Sequence, residues 1–250
     1  MGFFPIKILN QTLKNIVKSG FSLLQIDLTK NMQYDRLTKI IMKQELGTHS
    51  NCIDIGCHEG EMLDQMISLS PFGKHIAFEP IPYLFDKLQE KYGHGTTIHQ
   101  VALSNKNGEV SFNVVKNAPA FSGIKQRDYH VSNPDIEKIQ VATSKLDDLI
   151  GQDVQIDFVK IDVEVGEYDV LLGGIETLKR CQPVLIFEFG LGASDFYGTT
   201  PAKLYDLIVN QIGLNIYVLD DFISNSKALT LENFSKLYAE NSEYYFVAKK

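Results

Sequence analysis

The sequence is poor in the features that define several classes of protein. It contains three cysteines, Cys52, Cys57 and Cys181, with no pair at the spacing of zinc ligands, so neither a disulfide scaffold nor a structural zinc site is expected. No stretch approaches the roughly 18 apolar residues of a membrane-spanning helix, and the first residues carry no secretion or myristoylation signal. Eight prolines and eighteen glycines are too few for a linker-rich chain. These absences predict a cytoplasmic protein without a transmembrane segment or lipid anchor.

Basic residues are also scarce. Lys and Arg number 24 against 31 Asp and Glu, which gives a net charge of −7. Because binding to a phosphate backbone depends on clustered Lys and Arg, nucleic acid is not an expected partner. With 250 residues and 44% hydrophobic residues, the chain is large enough to bury the core of one large α/β domain or two small ones.

The apolar pattern changes near residue 50. Residues 6–17 and 34–46 show helical periodicity, so residues 1–49 are predicted to form an N-terminal helical extension. Its first helix is expected to dock on the main domain rather than to lie on a membrane surface. From residue 50 onward, short apolar runs alternate with helical segments, which indicates a parallel sheet flanked by helices. Residues 50–250 are therefore predicted to form one domain.

Strands and helices can be assigned to this domain from the same pattern. Strands are predicted at 51–55, 75–79, 97–102, 109–114, 158–163, 184–189, 214–219 and 244–248. Helices are predicted at 61–68, 83–91, 167–180 and 201–211. Because only a loop and a short helix separate the last two strands, we expect them to form a closing pair with one strand antiparallel to the rest. The fold class is α/β, with a doubly wound, mostly parallel sheet.

The strongest motif is the turn from the first predicted strand into the next helix, Asp54-x-Gly56-x-x-x-Gly60. Gly56 permits a sharp turn close to a ligand, and Gly60 opens the helix without a side chain in the way. A dinucleotide fingerprint would have glycine where Asp54 stands. That carboxylate would repel a pyrophosphate but could interact with the ammonium of a methionine moiety. The motif therefore favours S-adenosylmethionine over NAD, with an incidental glycine-rich turn as the alternative. His58 in this turn could reach the methionine carboxylate, but a histidine in a loop is at least as often merely solvated.

Acidic residues mark two further strand ends. Glu79 follows the second predicted strand about 25 residues after Asp54, where nucleotide-binding α/β folds place an acid that accepts hydrogen bonds from ribose. Asp162 and Glu164 lie near the carboxyl end of the strand at 158–163, the edge at which open α/β sheets bind ligands. Lys160, on the same side of that strand, is expected to form a buried ion pair with Asp162.

Together these motifs resemble the FkbM-type family of S-adenosylmethionine-dependent methyltransferases. The resemblance covers roughly residues 50–190 and is carried, in family order, by Asp54-Ile55-Gly56, Phe78-Glu79-Pro80, Val101-Ala102-Leu103-Ser104, Leu146-Asp147-Asp148-Leu149, Lys160-Ile161-Asp162-Val163-Glu164 and Val170-Leu171-x-Gly173. It implies the class I methyltransferase (Rossmann-like) fold with seven strands, S-adenosyl-L-methionine as cofactor, and O-methylation of a hydroxyl on a sugar, glycan or small-molecule natural product. It also implies that Ala102 and Leu103 border the adenine and that Ser122 faces the site.

One segment departs from the family pattern. After Glu164 the family usually continues Gly-Ala-Glu, whereas this chain reads Val165-Gly166-Glu167. If the family glycine has a positive φ, valine would be strained there. The departure motivates the alternative of a non-catalytic S-adenosylmethionine-binding module, while an NAD-dependent oxidoreductase is disfavoured by Asp54.

The candidate catalytic residues are the acids Asp162, Glu164 and Glu188. A hydroxyl acceptor needs its proton removed by a base or by a metal, and these acids could serve as the base or as ligands of a divalent metal. Asp162 is favoured as the acceptor-site acid, with His130 as a further candidate for the base. The candidate cofactor-binding residues are Asp54, Gly56, Gly60, Glu79, Ala102 and Leu103. The acceptor, the metal requirement and homo-oligomer formation are left open.

Overall fold

The computed structural model describes residues 27, 29–124, 133–163, 166–191 and 198–250. The predicted helix at 6–17 lies outside these residues. Within them, the strands are β1 (Cys52–Ile55), β2 (His75–Phe78), β3 (Thr96–His99), β4 (Ala102–Leu103), β5 (Gly108–Val115), β6 (Ile136–Ser144), β7 (Phe158–Ile161), β8 (Val184–Glu188), β9 (Asn215–Val218) and β10 (Tyr245–Lys249).

Seven of these strands form the central sheet, in the order β3-β2-β1-β7-β8-β10-β9. β1 pairs in parallel with β2 on one side and with β7 on the other, so the strand order reverses between β1 and β7. β10 is antiparallel to both of its neighbours, β8 and β9. The predicted doubly wound sheet with one antiparallel strand is confirmed, and its ligand crevice is expected at the carboxyl ends of β1 and β7.

Burial explains why the central strands read as continuous apolar runs. Every residue of β1 and β7 is buried, because helices cover both faces of a parallel sheet. The two faces belong to separate core clusters, with Ile53 and Val159 in one and Cys52 and Phe158 in the other. A charged side chain in such a strand, such as Asp54 or Lys160, therefore needs a specific reason to be there.

A short helix at Leu146–Leu149 was not predicted, and two helices rather than one lie between the last two strands. The helices otherwise follow the sheet, with two further differences. They are α1 (Lys30–Glu45), α2 (Glu61–Leu69), α3 (Pro82–Tyr92), α4 (Leu146–Leu149), α5 (Glu167–Gly173), α6 (Ile175–Cys181), α7 (Pro201–Tyr205), α8 (Leu219–Ile223) and α9 (Leu231–Glu240). The single helix predicted at 167–180 is divided at Gly174, and the helix predicted at 201–211 continues from α7 as a π-helical segment, Asp206–Ile212. No helix in the described ranges is long and apolar enough to cross a membrane.

A second, three-stranded sheet corrects the strand prediction in this region. The strand predicted at 97–102 is in fact two strands, since β3 ends at His99 and β4 belongs to the second sheet, whose order is β4-β6-β5. The strand predicted at 109–114 is β5, which pairs antiparallel with β6. Strand β6 was not predicted, because its first half is largely exposed and its few apolar residues there are interrupted by Glu137 and Lys138. The central sheet has seven strands because β5 is not one of them.

Helix α1 packs on the central sheet. Its buried residues Tyr34, Leu37, Ile41 and Met42 lie in one apolar cluster with residues of β7, β8 and β10. Thr29 caps its first turn by accepting a hydrogen bond from the amide of Met32. The amino end of this helix lies near the carboxyl end of β8, since Asn31 and Glu188 line the same cavity.

Candidate active site

The turn after β1 is shaped by Gly56. Gly56 has φ of +78°, and a Cβ atom there would lie 2.0 Å from the backbone oxygen of Asp162. Its amide donates a hydrogen bond of 3.0 Å to Phe78 O, at the end of β2. Only glycine permits this approach of three strand ends. Gly60, at φ of +81°, begins α2 and accepts a hydrogen bond from the hydroxyl of Tyr92.

Asp54 lies beneath this turn with an unusual environment. Its side chain is 1% exposed, and neither carboxylate oxygen has a hydrogen-bond partner among the described residues. Burial raises the pKa of Asp54 to about 6, although Lys160, its register partner on β7, opposes the rise. The backbone amide of Leu63 also opposes it, without completing a hydrogen bond to either oxygen. An unpaired carboxylate in a parallel strand is costly, which is typical of a functional position.

Glu79 closes the other side of the turn. Its two carboxylate oxygens accept hydrogen bonds from the amides of His58, at 3.0 Å, and Ile81, at 2.9 Å. The residue is only 4% exposed, and burial raises its pKa to about 7 despite these two donors. Each oxygen retains a lone pair, and the side chain lines the adjoining cavity. The arrangement suits a carboxylate that accepts hydrogen bonds from hydroxyl groups of a ligand.

A cavity opens at the carboxyl ends of β1, β2 and β7. This first cavity holds about 770 Å³ of empty space, part of it open to solvent. Gly56 and Glu79 line its polar side. The apolar wall comes from β2, the segment around β4 and the second sheet: Phe78, Val101, Ala102, Leu103, Phe112 and Ile124. Ser122 also lines it, with its hydroxyl bound to the amide of Val115.

A second cavity lies beside the first. It holds about 1290 Å³ of empty space, again partly open to solvent, and it is lined by the start of α1, the end of β8 and the start of β10. Tyr34, Tyr244 and Glu188 are among its lining residues. Asp162 and Ala120 line both cavities. Asp162 therefore stands where a ligand in one cavity would meet a ligand in the other.

Asp162 is held by two donors on one oxygen. Lys160 Nζ lies 2.8 Å and the Tyr245 hydroxyl 2.7 Å from Oδ2. Oδ1 makes no hydrogen bond to any residue in the described ranges, and the side chain is 27% exposed. Burial opposes ionisation of Asp162, but the Lys160 ammonium and the Tyr245 hydrogen bond outweigh it and lower its pKa. Asp162 is thus ionised at neutral pH.

The structure places some of the predicted site residues at the two cavities and others away from them. Gly56, Glu79, Ala102 and Leu103 line the first cavity, whereas Asp54 lies below the turn and Gly60 is not among the residues lining either cavity. Glu188 lines the second cavity with Asp162. The candidates Glu164 and His130 lie outside the described residues. The ion pair between Lys160 and Asp162 was predicted and is present.

Two contributions to the site were missed or underrated. His58 lines the first cavity with a positive φ of 49°, and its buried Nε2 has no partner among the described residues. Tyr245 was not among the predicted site residues, and the role of the N-terminal helices was left open. Both Tyr245 and helix α1 approach Asp162 from distant parts of the sequence. No group of three or more His, Cys, Asp or Glu suited to a metal ion occurs in the part of the chain that the structure describes.

The sequence profile of the methyltransferase FkbM domain matches residues 54–213, a segment that contains Asp54, Glu79, Asp162 and Glu188. The chain belongs to the FkbM methyltransferase family. The resemblance predicted from the motifs is thereby confirmed. The FkbM match ends before β9 and β10 and begins after α1, so part of the second cavity lies outside it.

Two relatives of this FkbM-family chain extend the comparison. The chain is 30% identical over 142 residues to the 2-O-methyltransferase NoeI of Sinorhizobium fredii (strain NBRC 101917 / NGR234), covering 51% of this chain and 58% of NoeI. The crystal structure of the methyltransferase FkbM from Methylobacillus flagellatus KT is similar with a TM-score of 0.51 at 14% identity, covering 81% of this chain and 44% of that one. The chain thus spans about half the length of these relatives. The class I methyltransferase fold is confirmed.

Of the residues that differ from the family pattern after Glu164, the described part of the chain includes Gly166. Gly166 has φ of −92° and lines the first cavity where α5 begins. Its conformation is open to any residue, so this glycine is not required by a positive φ. Val165 lies outside the described residues, and the expectation of strain there stays a prediction.

The buried carboxyl of Asp54 predicts a pH-dependent gain in stability on its removal. Because its pKa is raised to about 6 in the folded protein, the folded state loses stability as pH rises from about 4 through about 6. Asp54→Asn abolishes that loss, so its free energy of unfolding relative to the wild type should increase by about 2 kcal/mol between pH 4.5 and pH 8. Urea denaturation at both pH values measures the difference.

The control for this measurement is Asp86→Asn, an exposed acid on α3. We expect the Asp86 variant to follow the wild type at both pH values. A difference for Asp54→Asn that does not change with pH would contradict the raised pKa, since only titration of the group makes the effect pH-dependent.

Proposed function

We propose that this protein is an S-adenosylmethionine-dependent O-methyltransferase that acts on a hydroxyl of a sugar, glycan or small-molecule acceptor. The observation that carries the proposal is the position of Asp162 at the junction of the two cavities, with Oδ2 held by Lys160 and Tyr245. An ionised carboxylate with one committed oxygen presents the other to a ligand as a hydrogen-bond acceptor.

The first cavity fits the nucleoside portion of S-adenosylmethionine. Glu79 offers a buried carboxylate for the ribose hydroxyls. The apolar side chains near β4 offer an apolar surface for an adenine ring. Gly56 lines this cavity without a side chain, so a ligand can approach its backbone closely. Asp54 and His58 supply unpaired polar atoms at the same turn, suited to the charged methionine end.

Catalysis would require little from the protein beyond alignment and proton transfer. S-adenosylmethionine, when bound, supplies an electrophilic methyl group and a neutral thioether as leaving group. The acceptor oxygen forms the new bond to carbon with its own electron pair, and its O–H bond breaks toward Asp162 Oδ1. The low pKa of Asp162 makes it a weak base toward a free alcohol. Proton transfer becomes favourable as the acceptor oxygen is methylated, because that oxygen is then strongly acidic.

The choice of oxygen as the methylated atom is supported by the relative NoeI, whose name describes a 2-O-methyltransferase. The described residues of the second cavity add three tyrosines and two asparagines, Tyr34, Tyr244, Tyr245, Asn31 and Asn241, and the acids Asp35, Asp162 and Glu188. Such a lining offers many hydrogen bonds and several rings, which suits an acceptor with several hydroxyl groups better than a purely apolar one.

The proposal is tested first by calorimetry. S-adenosylhomocysteine should bind the purified protein, and NAD should not. Tritium transfer from methyl-labelled S-adenosylmethionine should then be measured with methyl glycosides, polyols and phenols, and with a primary amine as the nitrogen acceptor. Absence of S-adenosylhomocysteine binding at millimolar concentration overturns the cofactor assignment. Binding without transfer to any acceptor favours a non-catalytic module, and transfer to the amine alone overturns O-methylation.

Glu79→Ala should weaken S-adenosylhomocysteine binding at least tenfold. The substitution removes the cavity carboxylate and also leaves the amides of His58 and Ile81 without their acceptor, and unpaired buried donors are costly. Calorimetry measures the dissociation constant. Glu90→Ala, an exposed acid on α3, should bind as the wild type does. Unchanged affinity of the Glu79 variant would remove Glu79 from the cofactor site.

A further inference from the structure

Tyr245 approaches Asp162 from the antiparallel strand. It is the first residue of β10, and its hydroxyl donates to the same Oδ2 that accepts from Lys160. Two donors on one oxygen fix the rotation of a carboxylate, because turning the group would break both hydrogen bonds. Oδ1 then carries no hydrogen bond from the described residues, and Asp162 lines both cavities.

We propose that Tyr245 is a positioning residue for methyl transfer: by holding Oδ2, it orients Asp162 so that Oδ1 faces the acceptor hydroxyl. The inference rests on the proposed role of Asp162 as the acceptor-site acid. Lys160 constrains the carboxylate less, since an ammonium is a compact charge with three rotatable donors and does not by itself select one carboxylate orientation. The phenol, fixed at the end of a rigid ring, does select one.

Helix α1 fixes that ring. Tyr34 stacks on Tyr245 with ring centroids 5.0 Å apart and an interplanar angle of 23°. Tyr34 in turn donates a hydrogen bond of 2.6 Å to Glu243, which also pairs with Lys30 at 2.7 Å. Both ends of this chain of contacts lie outside residues 54–213. Segments beyond the family match therefore take part in orienting the acid within it.

The electrostatic surroundings of Asp162 make the contribution of Tyr245 measurable. The charged and titratable groups around the Asp162–Lys160–Tyr245 network are Lys160 on β7, Asp54 on β1, His58 after β1, Glu188 on β8 and Asp35 on α1. A hydrogen bond from Tyr245 favours the ionised form of Asp162 and so lowers its pKa. Removing the hydroxyl leaves Lys160 in place, and the pKa of Asp162 should rise without returning to that of an unpaired buried acid.

The experiment uses Tyr245→Phe, which keeps the ring and its stack on Tyr34. Using the best methyl glycoside or other acceptor from the panel, we expect kcat to fall roughly tenfold, with the acceptor KM and the S-adenosylhomocysteine affinity changed less than twofold. Activity that needs ionised Asp162 declines as the pH falls through the pKa of Asp162. The midpoint of this decline in the pH–rate profile should therefore lie at higher pH in the variant. The matched control is Tyr217→Phe on neighbouring β9, which should leave kcat and the pH profile unchanged.

A second readout does not depend on the acceptor. Carboxyl ¹³C resonances of labelled aspartate, with Asp162 assigned through Asp162→Asn, report the midpoint of its titration directly. The midpoint should be higher in Tyr245→Phe than in the wild type and unchanged in Tyr217→Phe. An unchanged midpoint together with unchanged kcat overturns the inference, because a merely structural tyrosine would leave both in place.

Failure of the inference is distinguishable from failure of the proposed function. If the wild type binds and methylates but Tyr245→Phe matches it in kcat, pH profile and carboxyl midpoint, only the inference fails. If the wild type neither binds S-adenosylhomocysteine nor transfers a methyl group, the proposed function fails and the inference with it.

In an Asp162→Asn background, Tyr245→Phe should lower the residual kcat less than twofold, and a full tenfold loss there would show that Tyr245 does not act through Asp162. If Tyr245→Phe is unstable, Tyr34→Leu provides the substitute test. It removes the ring that stacks on Tyr245, and it should also lower kcat.

Discussion

Asp162→Asn should lower kcat by roughly 10²- to 10⁴-fold, the range typical of a lost general base. The amide cannot accept a proton from the acceptor hydroxyl at Oδ1, although its carbonyl oxygen can still accept hydrogen bonds from Lys160 and Tyr245. The fold should therefore be retained, with the buried Lys160 ammonium less well compensated. Single-turnover transfer of a labelled methyl group to the panel acceptor measures the rate, and calorimetry should show S-adenosylhomocysteine affinity within tenfold of the wild type.

Glu188→Gln is the informative comparison for that result. Glu188 is the other candidate acid of the second cavity within the described residues, and it lies on the neighbouring strand β8. If Asp162 is the acceptor-site acid, the Glu188 variant should change the acceptor KM more than kcat. A kcat loss that is large for Glu188→Gln and below tenfold for Asp162→Asn would transfer the role of base to Glu188.

The grouping of Asp54, Gly56 and Glu79 at one turn could be predicted because its sequence signals are local. Asp54, Gly56 and Glu79 lie within 26 residues, and each lies in or directly after a strand whose apolar run is easy to recognise. A strand-turn-helix unit places these residues at one edge of the sheet whatever the rest of the chain does. The ion pair of Lys160 with Asp162 could be predicted from an equally local signal, since alternation along one strand puts both side chains on the same side.

The contacts around Asp162 and the second cavity could not be predicted, for the opposite reason. Tyr245 meets Asp162 across 83 positions of sequence, and Tyr34 meets Tyr245 from the other end of the chain. A tyrosine at the start of an apolar strand has no local pattern that separates a ligand-facing ring from a packed one. Strand β6 was missed for a related reason: one face of it meets solvent, so its apolar run is interrupted. Tertiary pairing, which determines both features, leaves no local pattern in the sequence.

Gly56→Ala should be the most destabilising single change in the turn after β1. The added Cβ would lie 2.0 Å from the backbone oxygen of Asp162 and would also be held at φ of +78°. The obstructing atom is main chain, so it cannot swing aside as a flexible side chain could. We expect the free energy of unfolding, measured by urea denaturation, to fall by more than about 3 kcal/mol. S-adenosylhomocysteine binding should be lost with it, because Asp162 and the first cavity must shift.

Two other glycines serve as controls that separate the two causes of this loss of stability, the positive φ and the steric contact with Asp162. Gly213 has φ of +90°, but a Cβ there meets its nearest heavy atom only at 3.9 Å, and Gly95 has open space and no positive φ. Gly95→Ala should change stability by less than about 0.5 kcal/mol, and Gly213→Ala should cost about 1 to 2 kcal/mol from the left-handed backbone alone. The excess for Gly56→Ala then measures the contact with Asp162. Equal costs for Gly56→Ala and Gly213→Ala would mean that the strand ends of β1 and β7 are not in close contact, and the two cavities would have no fixed junction at Asp162.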